Sequence, residues 1–151
     1  MAHKSLALMV GASLLLGTVS VDAQDKRYPE SAYRHNVLEQ VKYSIGNIRM
    51  LVQGLEAGDG AMKMNARNLH TASLMMKGAF AKDTRGMEGK TDAKDEIWEN
   101  WADFESRVDK FVGDTGALMG AVEGGDKAAI GGALRTVFSN CKGCHDKYKA
   151  D

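Results

Sequence analysis

Apolar residues recur along this chain at intervals of three and four positions, in four separate stretches. This interval places the apolar side chains on one face of an α-helix. The first stretch contains Val37, Leu38, Val41, Ile45, Ile48, Val52 and Leu55, and the second contains Met62, Ala66, Leu69, Ser73, Met76 and Phe80. The third contains Ile97, Trp101, Phe104, Val108, Phe111, Thr115, Met119 and Val122, and the fourth contains Ile130, Leu134, Val137, Cys141, Cys144 and Tyr148. We therefore predict four amphipathic helices and no strand.

Turn residues separate the four stretches. A Gly-Asp-Gly turn at residues 58–60 follows the first, a polar loop at residues 82–90 precedes the third, and Gly124-Gly125 precedes the fourth. The candidate N-caps are Ser31, Thr91 or Asp92, and Asp126. Two short connections and one longer middle loop favour an all-α fold, an antiparallel up-down-up-down four-helix bundle.

The N-terminus has the pattern of an export signal. Lys4 is followed by an apolar run over residues 6–19, and small residues stand at the cleavage positions. We predict a signal peptide over residues 1–23 and a single domain over residues 24–151, with no membrane-spanning segment. The formal net charge is zero. A neutral chain without a basic face predicts no nucleic-acid partner and no binding to anionic membranes.

The candidate chemistry lies near the C-terminus, where Cys141, Cys144 and His145 form a C-x-x-C-H sequence. This sequence is the attachment signature of a c-type haem, in which two thiols bond to the porphyrin and an imidazole ligates the iron. On a helix, positions i, i+3 and i+4 leave the same face. We predict one covalently attached haem c that points into the core. Such attachment takes place outside the bacterial cytoplasm, which agrees with export to the periplasm.

A structural disulfide, a thioredoxin-like redox pair and half of a zinc site are the rival interpretations of the two cysteines. A zinc site needs further ligands, and the chain has no second Cys/His cluster. A thioredoxin-like pair begins a helix that follows a strand, whereas this pair comes late in a helical pattern. Haem attachment is the favoured interpretation.

Two residues of the first stretch bear on the haem. Arg34 either extends to water from the helix end or pairs with a haem propionate, because a guanidinium matches a carboxylate well. We favour the propionate. Leu38 either packs in the core or lies over the iron opposite His145, and the two roles are compatible. Because leucine cannot ligate, the iron would stay five-coordinate in a dry pocket that favours small uncharged ligands.

Other residues are weaker candidates. Lys149 follows His145 by four positions, so it either tunes that ligand or is a surface lysine. Met is the usual sixth ligand in electron-transfer cytochromes, but no methionine of this chain is placed persuasively for that role. We expect His35 and His70 to be solvated surface residues, and we find no acid–base residue on the stripe around Leu38.

The chain resembles the cytochrome c′ family of class II c-type cytochromes. The family pattern C-x-x-C-H-x-x-[YF]-[RK] matches residues 141–149, Cys-Lys-Gly-Cys-His-Asp-Lys-Tyr-Lys. Residues 33–38 resemble its Y-R-x-x-x-[LMF] stretch, and residues 96–98 with Phe104 resemble its third helix. The likeness covers essentially the whole chain after the signal peptide, and the family itself is a standard example of the up-down-up-down bundle.

The resemblance implies a role for each candidate residue. Cys141 and Cys144 would be the thioether sites, His145 the proximal iron ligand, Arg34 the propionate partner, Leu38 the distal blocking residue and Lys149 the basic neighbour of His145. It also implies a homodimer built on the first two helices, and binding of NO and CO at a high-spin iron.

The expected function is a periplasmic, non-enzymatic haem protein that binds these gases and exchanges electrons with an unknown redox partner. The alternative is a low-spin, six-coordinate electron carrier resembling cytochrome c-556, whose relatives have Met at the position of Leu38.

Overall fold

The computed structural model describes residues 26–150, so the predicted signal peptide lies outside the described residues. The helices in this range are α1 (Pro29–Val52), α2 (Ala61–Phe80), α3 (Glu96–Glu99), α4 (Trp101–Gly124) and α5 (Lys127–Tyr148). The four long helices form an up-down-up-down bundle, which confirms the predicted all-α fold class. Over the same range, no helix is both long and apolar enough to span a bilayer.

Helix α1 begins one turn earlier than its predicted cap. Tyr28 is the N-cap and Pro29 occupies the first turn, where proline fits because its φ is preset and no N–H is needed there. Ser31, the predicted cap, is instead buried inside the helix, and its hydroxyl donates a hydrogen bond to the Lys90 carbonyl at 2.7 Å. This bond ties the start of α1 to the middle loop of the chain.

Glycine ends two of the long helices. Gly54 has a φ of 100° just after α1, and the helix stops at Val52 rather than at residues 58–60. Leu55 therefore lies beyond the helix and is 53% exposed, so its assignment to the apolar stripe was wrong. Gly125 ends α4 with a φ of 77°, and Asp126 then caps α5 by accepting the amide protons of residues 128 and 129, as predicted.

The predicted third helix is two helices. Asn100 leaves the helical conformation, with φ −124° and ψ 43°, so the one-turn α3 is separated from α4. Thr91 and Asp92 cap neither helix. The Thr91 hydroxyl accepts the amide of Ala93 in a local turn, and Asp92 forms an ion pair with Arg27 at 2.6 Å. The segment before α3 is thus an ordered loop rather than a helix start.

The core follows the apolar stripes. Helix α1 packs on α2, α2 on α4, and α4 on α5, whereas α1 touches α5 only lightly. Phe104 of α4 is 2% exposed, and its ring contacts those of Phe80 and Tyr148 at centroid distances of 5.0 and 5.3 Å. The light contact between α1 and α5 leaves space between these two helices.

Candidate haem-binding site

A cavity of about 680 Å³ occupies the space between α1 and α5. All six residues predicted for the site line it: Arg34, Leu38, Cys141, Cys144, His145 and Lys149. Helix α1 supplies one wall and α5 the opposite one, while Phe80, Ile97 and Phe104 add apolar surface between them. The fold therefore brings together residues that are more than a hundred positions apart in the sequence.

The C-x-x-C-H residues lie within helix α5, so that the two thiols and the imidazole share the cavity face. Both cysteines are free and half-buried. Burial raises the pKa of the Cys141 and Cys144 thiols, and the Arg107 guanidinium opposes this rise at Cys144. Both therefore remain neutral thiols at physiological pH.

His145 is exposed and lines the cavity. Partial desolvation lowers the pKa of its imidazole, and the Lys149 cation lowers it further. The neutral imidazole, which is the form that ligates a metal, is therefore favoured at neutral pH. Lys149 itself lies just beyond α5, where its amide donates to the His145 carbonyl at 3.2 Å and its backbone pairs with that of Ala93.

Arg34 is 3% exposed, so it does not extend to water. Its Nη2 donates to the Tyr28 hydroxyl at 2.7 Å, and its guanidinium lies 5.4 Å from the ring centroids of both Phe80 and Trp98. Its Nη1 is buried without a hydrogen-bond partner, and no carboxylate within residues 26–150 forms an ion pair with it. A hydrogen-bond acceptor in the cavity, above all an anion, would satisfy this N–H and offset the cost of burying the charge.

Leu38 is half-buried and lies on the α1 wall of the cavity. The cavity surface around it is more polar than the sequence suggested, because His35 and Glu39 line it as well. His35 was expected to be a solvated surface residue, and it is half-buried at the cavity surface. His35 and Glu39 lie beside the apolar stripe of α1 that contains Leu38, not on it. Glu39 is engaged by Lys42 at 3.0 Å, whereas the His35 ring forms no hydrogen bond within the described chain.

Sequence reasoning also missed the residues that hold Arg34 and those that close the cavity. Tyr28 is buried, accepts from Arg34 and donates to Thr84 at 3.1 Å, and no periodic pattern pointed to it. Burial alone would raise the pKa of Tyr28, but the hydrogen bond with Thr84, the nearby Thr91 hydroxyl and the Arg34 cation outweigh burial and lower it. The loop at residues 91–93 forms one edge of the cavity.

Two further expectations concern histidine and methionine. His70 is half-buried, and its Nδ1 lies 3.1 Å from the Thr115 hydroxyl between α2 and α4, so it is not a solvated surface residue. Among residues 26–150, Met76 is the one methionine that lines the cavity. Met76 is therefore the methionine to consider as a further iron ligand.

The donor set fits a covalently attached haem. Two free thiols and a neutral imidazole lie on one wall, and an unsatisfied buried guanidinium N–H lies on the other. The cavity of about 680 Å³ between them has a largely apolar lining, which suits a flat macrocycle. Each attachment chemistry that a haem c requires thus has a residue at the cavity surface.

Comparisons with known proteins agree with this fit. The sequence profile of the cytochrome c′ family matches residues 30–149. Cytochrome c′ of Rhodospirillum rubrum is 31% identical over 140 residues, covering 93% of this chain and 93% of the relative. A ferrous variant of Alcaligenes xylosoxidans cytochrome c′, solved with bound NO, superposes with a TM-score of 0.71 at 31% identity, covering 81% of this chain and 94% of that one.

Cytochrome c-556 of Agrobacterium tumefaciens is also similar, at 26% identity over 117 residues, covering 77% of this chain and 93% of the relative. The proteins of this family carry covalently bound haem c. The family profile spans nearly all of the described residues, and the four-helix bundle with its cavity agrees with it. The chain therefore belongs to the cytochrome c′ family.

Proposed function

We propose that this chain is a periplasmic gas-binding haem protein with a five-coordinate, high-spin iron. When bound, the haem supplies an iron that takes up NO or CO. The observation that carries the proposal is the position of Leu38 on the cavity wall formed by α1, across from the wall that holds His145. A leucine side chain has no donor atom, so it blocks this side of the cavity without ligating a metal.

Each remaining cavity residue has a defined role in this proposal. Cys141 and Cys144 hold the cofactor through thioether bonds, and the neutral imidazole of His145 ligates its iron. Arg34 receives a propionate through Nη1, the donor that has no partner within the chain. Lys149 follows His145 by one helix turn and lines the same cavity, where its positive charge favours the neutral imidazole. Residues 1–23 would direct export and residues 24–151 would form the mature domain.

The partners in this proposal are small gases and copies of the chain. The similar ferrous variant of Alcaligenes xylosoxidans cytochrome c′ was solved with bound NO. Several apolar side chains of α1 and α2 are strongly exposed, namely Tyr33, Tyr43 and Met50 on α1 and Met64 and Leu74 on α2. Such a surface favours a homodimer through these two helices. Sedimentation equilibrium of the mature protein tests this assignment, and a monomer at micromolar concentration contradicts it.

The second candidate is a low-spin, six-coordinate electron carrier. It is supported by Met76, which lines the cavity, and by the similarity to cytochrome c-556. In that case the Met76 thioether would be a further ligand of the iron, and the protein would not respond to CO.

The visible absorption spectrum of the purified ferric and ferrous protein, with and without CO, separates the two candidates. The gas-binding proposal predicts a high-spin spectrum that changes when CO is added to the ferrous form. A sharp low-spin spectrum that CO leaves unchanged favours the electron carrier, and Met76→Leu should then convert it to high spin. A chain without any haem spectrum, after expression with a working attachment system, contradicts both.

A further inference from the structure

Most residues of the helix turn that carries the C-x-x-C-H sequence have low helix propensity. Residues 139–145 contain Ser139, Asn140, Cys141, Gly143, Cys144 and His145. All of these residue types have low helix propensity, and a glycine inside a helix costs about 1 kcal/mol relative to alanine. The helix nevertheless continues through this segment to Tyr148. Something beyond local propensity therefore holds the turn in helical form.

Helix α4 supplies that support through a row of polar contacts along α5. Asp103 accepts a hydrogen bond from the Tyr148 hydroxyl at 2.5 Å, and Arg107 donates from Nη1 to the Gly143 carbonyl at 3.3 Å. Asp114 accepts from the Asn140 side chain. We call these six residues the polar seam. Its three contacts bracket the C-x-x-C-H turn, one at each end and one inside it.

Asp103 accepts more hydrogen bonds than any other residue of the seam. Its Oδ2 also accepts from Arg107 Nε at 2.8 Å and from Lys147 Nζ at 3.0 Å. A single carboxylate oxygen thus orients Arg107 toward Gly143 and holds Tyr148 at the end of the turn. These three donors keep the pKa of Asp103 well below its usual range, so the carboxylate stays charged at any physiological pH.

The seam fixes the direction in which the turn faces. Tyr148 is 3% exposed, and its ring meets Phe104 edge-on, which places the hydroxyl on Asp103 only in one orientation of α5 about its axis. In that orientation Cys141, Cys144 and His145 all line the cavity. A rotation of α5 that moved the imidazole away from the cavity would break the contacts of both Tyr148 and Gly143.

We propose that Asp103 is a positioning residue for the haem-attachment turn, acting through Arg107 and Tyr148 to hold His145 at the cavity wall. This inference rests on the proposed role of residues 141–145 as the attachment turn. Arg107 cannot be replaced by lysine in this role, because it uses two separate N–H groups, one for Asp103 and one for Gly143. Asp103 does not touch the cofactor site itself, since it is absent from the cavity lining.

The test uses the holoprotein and two matched pairs of variants. Tyr148→Phe removes one hydroxyl but keeps the ring on Phe104, and Thr136→Val removes an exposed hydroxyl elsewhere on α5 as its control. Asp103→Asn removes the carboxylate charge shared by Arg107, Lys147 and Tyr148. Asp109→Asn removes the same charge from α4, where Asp109 pairs with Lys77 of α2 instead.

Two measurements report on position rather than on stability alone. The iron–histidine stretching frequency of the ferrous protein, read by resonance Raman spectroscopy, should shift or broaden in Tyr148→Phe and Asp103→Asn but not in the two controls. Backbone hydrogen exchange over residues 141–148 should be faster by on the order of fivefold in the same two variants, with α2 unaffected.

The outcomes distinguish a failure of the positioning role of Asp103 from a failure of the proposed haem-binding function. If both seam variants keep the wild-type frequency and exchange rates, Asp103 is only a surface ion-pair residue and the inference is wrong. If the controls change as much as the seam variants, the effect is a general loss of charge or stability, and the inference is again wrong. Failure of the wild-type chain to attach haem would instead contradict the proposed function.

Discussion

Removal of the Tyr28 hydroxyl tests how the buried cation of Arg34 is held. The hydroxyl accepts from Arg34 Nη2 at 2.7 Å and donates to Thr84 at 3.1 Å. Tyr28→Phe keeps the ring, whose centroid lies 5.6 Å from the guanidinium, so the cation–π contact remains. Only the two hydrogen bonds are lost.

The expected loss of stability follows from these two bonds. A hydrogen bond to a charged group contributes about 1.5–3 kcal/mol, and a neutral one about 1 kcal/mol. The variant leaves Nη2 of the buried Arg34 cation without its acceptor. We therefore expect Tyr28→Phe to lower the free energy of unfolding by about 2–4 kcal/mol.

Urea unfolding of the holoprotein, followed by far-UV circular dichroism, measures this loss. With a slope of about 2 kcal/mol per molar urea, the midpoint should fall by about 1–2 M. Thr136→Val is the control, because the Thr136 side chain is exposed on α5, away from the cavity and from the proposed dimer surface, and the loss of its hydroxyl should leave the midpoint unchanged. If the urea midpoint of Tyr28→Phe falls by less than about 0.3 M, the loss of stability is smaller than the contribution of one hydrogen bond, and the reasoning is refuted.

Four further predictions concern the gate, the core, a helix cap and pH. Leu38→Ala should bind CO on the order of tenfold faster in flash photolysis, because a steric barrier of about 1.4 kcal/mol is removed; an unchanged rate contradicts the gate. Phe104→Ala should lower the free energy of unfolding by about 3–5 kcal/mol in urea, since the ring is 2% exposed. Asp126→Ala should lower it by about 1 kcal/mol, with Asp126→Asn retaining most of the stability. The pKa of Asp103 is lower in the folded protein than in the unfolded chain, where it is about 4. The contribution of this carboxylate to the free energy of unfolding is therefore fully present above about pH 4 and is lost as the pH falls toward the folded-state pKa. The difference in urea midpoint between wild type and Asp103→Asn should therefore stay constant from pH 8 to about pH 5 and shrink below pH 4.

The long helices were predictable because a local pattern encodes them. The apolar period predicted which face of each helix is buried. Asp126 predicted the start of α5, because aspartate is a preferred N-cap and this one directly precedes the fourth apolar stretch. The break at Asn100 was not predictable, because the apolar period continues from Ile97 through Trp101 without interruption. Leu55 was misassigned for a related reason, since the period alone does not show where Gly54 ends the helix.

Some residues of the candidate site were predictable from local sequence patterns, and others were not. The apolar period placed Arg34 and Leu38 on one face of α1, and it placed Cys141 on one face of α5. In the folded bundle these two faces lie on opposite sides of the cavity. Tyr28 and Thr84 are 56 positions apart, and a hydrogen bond at that distance has no signature in either local sequence. Contacts of this kind depend on how whole helices dock, which neither propensity nor spacing encodes.

The loop at residues 90–94 carries a consequence for the order of folding. It is bound to the start of α1 by Arg27 to Asp92 and Ser31 to Lys90, which are 65 and 59 positions apart. Residues 92 and 94 also exchange backbone hydrogen bonds with residues 150 and 148. Contacts of such long sequence separation carry the largest loop-closure entropy and form after the local helix pairs. We therefore expect the bundle to assemble with this edge of the cavity still open, and the chain to seal it last.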